Sequence, residues 1–121
     1  MSKFQVKKVA VLGAGVMGAQ IAAHLVNVKV PVVLFDLPAK EGNPNGIVLR
    51  AIENLKKLKP SPLGVVEDAS LIQAANYAEN LPLLSECDLI IEAIAERMDW
   101  KLSLYAQIAP HIAPHAMVAS N

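Results

Sequence analysis

The 121 residues predict an α/β fold in which a parallel sheet carries helices on both faces. Three observations point there. Short apolar runs alternate with stretches of helical periodicity, the pattern of strands joined by crossover helices. The first run, Val9-Ala10-Val11-Leu12, is apolar throughout and bounded by glycine, which suits a strand buried on both faces. Gly13, Gly15 and Gly18 follow it as G-x-G-x-x-G, and Asp36 closes the next apolar run, near the offset of about 20 residues expected for an acid that binds a ribose.

The elements can be taken in order. A helix begins within the glycine motif. Met17, Ile21, Leu25 and Val28 form its expected apolar stripe, with Gln20, His24 and Asn27 on the other face. A second strand spans about Val30 to Asp36. Asn43-Pro44 has the form of an N-cap followed by proline at the first helical position, and Ile47, Ala51, Leu55 and Leu58 then recur at helical spacing. Lys59-Pro60-Ser61-Pro62-Leu63-Gly64 stops that helix. A weaker strand covers Ile72 to Tyr77, and a helical turn lies around Pro82 to Ser85. Asp88 to Ala95 is the next strand, a helix runs from about Asp99 to Ala109, and Ala116 to Ala119 begins a further strand.

Each glycine of the motif has a physical task. The first permits a tight turn, the second lets a phosphate approach bare backbone, and the third lets helix pack closely on strand. The helix that starts there turns its N–H groups and the positive end of its dipole toward a pyrophosphate. The arrangement is that of a Rossmann-type dinucleotide site. A carboxylate at position 36 would repel a 2′-phosphate, and Leu37, Pro38 and Ala39 supply no arginine to accept one, so NAD is expected over NADP.

Eleven basic and eleven acidic residues cancel, which leaves no electrostatic footprint for nucleic acid or an anionic membrane surface. No apolar stretch approaches the length of a membrane span. One cysteine, Cys87, allows no internal disulfide and fits a reducing compartment; it reads as a small packed residue. A cytoplasmic protein with no metal site is expected. The start, Met1 to Lys8, reads as a natural one. A content of 54% hydrophobic residues is high for a domain this small and predicts self-association, a homodimer being one form of it.

The segments GAGVMGAQIAAHL, FD, DLIIEAIAERMDWK and IAPHAMVASN together resemble the N-terminal domain of the 3-hydroxyacyl-CoA dehydrogenases of fatty acid β-oxidation, over nearly the whole chain. That resemblance implies an NAD cofactor and an acyl-CoA substrate for the full enzyme. It implies that Gly13, Ala14, Gly15, Val16, Met17 and Gly18 line the pyrophosphate and that Asp36 accepts hydrogen bonds from the adenosine ribose. Ile94, Ala95 and Glu96, with Lys101, would contact the cofactor toward its nicotinamide, and Ser120-Asn121 would open the family's Ser-Asn-Thr-Ser turn.

In that family a histidine held by a glutamate takes the proton from the 3-hydroxyl. The resemblance puts both beyond Asn121, so residues 1–121 are expected to be one incomplete cofactor domain, truncated before the C-terminal helical domain and inactive alone. His24, His111 and His115 read as surface or packing histidines. Glu92 reads as a buried, hydrogen-bonded carboxylate near the site. Lys56, Lys57 and Lys59 suit either coenzyme A phosphates or a solvated helix end. Two rival functions stand beside the first: the cofactor domain of another two-domain hydroxy acid dehydrogenase, and a non-catalytic NAD-sensing module.

Overall fold

Val9–Leu12 forms the central strand, β1, and all four of its residues are sealed from solvent. In the computed structural model, which describes residues 7–37, 42–57, 66–93, 104, 106–114 and 116–120, four further strands join it: β2 (Val32–Asp36), β3 (Ile72–Asn76), β4 (Leu89–Glu92) and β5 (Met117–Ser120). The order is β3-β2-β1-β4-β5, every pairing is parallel, and Val9 lies opposite Val32 on one side and Leu89 on the other. Each parallel step needs a crossover, and α1 (Val16–Asn27), α2 (Gly46–Lys57), three short 3-10 helices (Val66–Leu71, Leu81–Glu86, Ala109–His111) and helical residues at 104 and 106–108 supply the helical parts described.

Alternation along the strands divides the core into two layers. Val9, Val11, Val32 and Leu34 face Ala22, Ala23 and Val26 of α1 and Val48, Ile52 and Leu55 of α2. Ala10, Leu12, Val33, Phe35 and Ile90 face the opposite way, onto Leu84, Leu104 and Ile108. Leu104 and residues 106–108 are helical, so the sheet is covered on both faces as the apolar runs predict.

The helix faces differ from the expectation. In α1 the buried stripe is Ala19, Ala22, Ala23 and Val26, whereas Met17 and Val28 are exposed. Small side chains let the helix lie close on the sheet, while Ile21 and Leu25 of the expected stripe pack half-buried against the same core and only Met17 and Val28 are left outside it. In α2 the buried residues are Val48, Ile52 and Leu55, one position out of phase with the expected Ile47 and Ala51, and Ile47 is exposed. The consecutive Ile47, Val48 and Leu49 leave the phase ambiguous from spacing alone. Asn43 does not cap α2 directly: its Oδ1 accepts the Asn45 N–H at 2.9 Å within a turn, and the helix starts at Gly46. Strand β2 begins at Val32, after Pro31, rather than at Val30. Residues 58–65 and 94–103 lie outside the described residues, and with them Leu58, the Pro-rich loop and most of the expected helix from Asp99.

Candidate functional site

The strand order reverses at β1, along the edge formed by the carboxyl ends of the parallel strands. β2 and β3 lie on one side of β1, β4 and β5 on the other, and such switch points are where open α/β sheets bind ligands. Gly13 leaves β1 with φ of +108°, a backbone state that a side chain would strain. Its N–H donates to the Phe35 carbonyl at 2.8 Å, and the Leu12 carbonyl accepts the Ala93 N–H at 2.9 Å, so the loop grows directly from the sheet.

Gly15 occupies the N-cap of α1 with no side-chain cap, and the first turn contains no acidic residue. An anion arriving there meets the helix's N-terminal end without a competing carboxylate on that turn. A Cβ on Gly15 would meet nothing within 4 Å, which leaves its backbone open to a close approach. Gly18 is the opposite case: a Cβ there would overlap the Gly13 carbonyl oxygen. Ala14 is buried, Met17 is exposed, and Val16 opens the helix.

Asp36 ends β2 at the same edge. Its Oδ2 accepts the Ala14 N–H at 2.7 Å and its Oδ1 accepts the Leu37 N–H at 2.7 Å. The structure therefore brings together Gly13 to Gly18 and Asp36. Ile94, Ala95, Glu96 and Lys101 fall outside the described residues, as do His115 and Asn121. Ala93, directly before them, stands beside the loop and lies 3.6 Å from the Gly18 Cβ position.

Glu92 ends β4 fully buried, in register with Leu12 and Ser120. Phe35 and Tyr77 stack with ring centroids 5.9 Å apart. Burial first, then the negative charges of Asp36 and Glu92, push the Tyr77 phenol above its usual range. Cys87 is buried, its Sγ lies 3.6 Å from the Leu83 carbonyl, and burial pushes its thiol up to about 11. That environment fits a packed residue and not a reactive one.

Of the described histidines, His24 is exposed in the last turn of α1 and His111 is half-buried in the 3-10 helix preceding β5. Both segments lie toward the amino end of the sheet, away from that carboxyl edge. Lys56 pairs with Glu53 at 3.0 Å and Lys57 is exposed, which fits a solvated helix end.

One residue escaped the sequence reading. Asn76 ends β3 opposite Asp36 and is buried. Its Nδ2 donates to Asn45 Oδ1 at 2.8 Å and to Glu79 Oε1 at 3.2 Å. Its Oδ1 accepts the Ala78 and Glu79 N–H groups at 3.0 and 2.8 Å, and its own N–H donates to Asn80 Oδ1 at 3.0 Å. It pins the end of β3 to the start of α2, beside the acid. The repeated Asn of Asn76-Tyr77-Ala78-Glu79-Asn80, a turn-forming pattern, was the available signal.

Comparison with known proteins bears on this edge. The family model for the NAD binding domain of 3-hydroxyacyl-CoA dehydrogenase matches residues 8–121. The chain is 44% identical over 118 residues to a putative fatty acid oxidation complex trifunctional enzyme of Rickettsia felis, covering 97% of this chain and 16% of that protein. It is 37% identical over 119 residues to a probable 3-hydroxyacyl-CoA dehydrogenase of Deinococcus radiodurans, covering 97% of this chain and 34% of that one. The crystal structure of 3-hydroxybutyryl-CoA dehydrogenase from Escherichia coli K12 superposes with a TM-score of 0.75 at 28% identity, over 97% of this chain and 25% of that one. The chain thus spans a minor part of the length of each.

Proposed function

The chain belongs to the NAD-binding domain family of the 3-hydroxyacyl-CoA dehydrogenases, and on that premise we propose that it forms the cofactor half of an enzyme oxidising L-3-hydroxyacyl-CoA to 3-ketoacyl-CoA in fatty acid β-oxidation. NAD is the family's cofactor. When bound, it supplies the acceptor for the hydride leaving the 3-carbon. The protein's part is to bind, orient and discriminate.

The observation that carries the reading is the conjunction at one edge of the positive-φ Gly13 turn, the uncapped start of α1 and the Asp36 carboxylate. In this reading the backbone from Gly13 to Gly18 lies along the pyrophosphate, and Asp36 takes the adenosine ribose hydroxyls. Ile94, Ala95, Glu96 and Lys101 flank the nicotinamide side. We infer that the proton-accepting histidine of the full enzyme lies beyond these 121 residues, which alone bind cofactor without turnover.

No helix among the described residues is long and apolar enough to cross a membrane. A cytoplasmic location and an acyl-CoA partner accord with the family. Met117 and Val118, exposed on the edge strand β5, support self-association, a homodimer included. Calorimetric titration with NAD tests the central reading: saturable binding at one site is expected, and absence of heat with both NAD and NADH overturns it. Oxidation of a hydroxyacyl-CoA at enzyme-like rates by the 121 residues would overturn the assignment of turnover elsewhere.

A further inference from the structure

Asp36 faces two ways. The last two residues of β2 hold the first two N–H groups of the glycine loop: the Phe35 carbonyl takes that of Gly13 at 2.8 Å, and Asp36 Oδ2 takes that of Ala14 at 2.7 Å. Asp36 Oδ1 is itself fixed by the Leu37 N–H at 2.7 Å. An ionised carboxylate has about four acceptor sites. Among the described residues two are used, one on each oxygen, which leaves one on each oxygen for an outside donor. The bonds already made are short and charge-assisted, the strong kind.

We propose that Asp36 is a positioning residue for the phosphate loop as well as an acceptor for ribose, so that one carboxylate couples the sugar subsite to the pyrophosphate subsite. By holding the Ala14 peptide it removes that N–H from the phosphate's donors, which then begin at Gly15, and it sets the direction in which the chain enters α1. The proposal rests on the NAD reading above and deepens it.

The sign of its effect separates this role from plain electrostatics. As a bare negative charge, Asp36 repels a pyrophosphate, and neutralising it helps any ligand without ribose hydroxyls. As a strut, its loss misplaces the loop and harms that same ligand. Asp36→Asn offers an acceptor to only one of the two backbone N–H groups and turns its own NH₂ toward the other. Asp36→Ser keeps one short acceptor and no charge, and serves if the first variant unfolds.

The experiment titrates the 121-residue chain and both variants with ADP and with 2′,3′-dideoxy-ADP, and follows amide hydrogen exchange. For the variants we expect about tenfold weaker binding of dideoxy-ADP, the loss typical of a charged hydrogen bond. We also expect faster exchange at Ala14 with protection kept at Val11 and Ile90. Unchanged or tighter dideoxy-ADP binding, or unaltered exchange at Ala14, overturns the proposal while leaving NAD binding intact. Failure of the unaltered chain to bind NAD and ADP removes the cofactor reading and this proposal with it.

Discussion

Gly18 packs directly on Gly13: a Cβ on the third glycine of the motif would overlap the carbonyl oxygen of the first. That oxygen belongs to backbone already fixed by the Gly13 N–H bond to Phe35, so it has little freedom to yield. Gly18→Ala is therefore expected to cost about 1–3 kcal/mol of stability, the range for forced overpacking, and to abolish NAD binding through the displaced loop. Urea denaturation and calorimetry read the two effects.

Gly15→Ala makes the contrasting case. Its φ of −68° suits any residue and its Cβ would sit in open space. Stability is expected to stay within about 1 kcal/mol, the modest difference between glycine and alanine at an N-cap, while NAD affinity falls because the methyl group stands where the phosphate approaches. Equal NAD affinity in Gly15→Ala and the unaltered chain would contradict the proposed path of the pyrophosphate.

Asp36→Ala removes both the ribose acceptor and the repulsion of a 2′-phosphate. NAD binding should weaken and the preference over NADP should shrink. Competitive titration of the two cofactors measures the ratio. Equal affinity for both in the unaltered chain would sink the discrimination argument.

Asn76→Ala deletes a side chain that serves four partner groups in a buried position. Two of those partners are the part-buried N–H groups of Ala78 and Glu79, and each hydrogen bond lost costs about 0.5–1.5 kcal/mol net. The expected loss is about 2–4 kcal/mol, visible as a lower urea midpoint.

Alkaline pH should unfold the domain early. Cys87 and Tyr77 both have folded-state values raised by burial, the thiol to about 11. Above pH 9 the unfolded thiol ionises while the buried one holds its proton. The unfolded state then binds fewer protons, and stability falls as pH rises toward 11. Denaturation at pH 7 and pH 10.5 tests the drop, which Cys87→Ala should reduce. At pH 8 the thiol should resist alkylation until the chain unfolds.

The strands and the loop were legible because their signals are local. A wholly apolar run bounded by glycine has few alternatives to a doubly covered strand, and the interval to Asp36 identified the acid at the end of β2. The helix faces were harder to read. Ile21 and Leu25 of the expected stripe do pack on the core, but weighting by size added the exposed Met17 and Val28 and missed that close packing on the sheet selects Ala19, Ala22 and Ala23. Asn76 went unnoticed because its partners Asn45 and Asn80 are assembled by topology, which no window along the chain displays.

The central placement of β1 also constrains biosynthesis. Val9 is translated well before its neighbour Leu89, so over that interval one flank of the strand has no companion. An unsatisfied apolar flank of that kind is a target for misassociation. That flank closes only once β4 has been made.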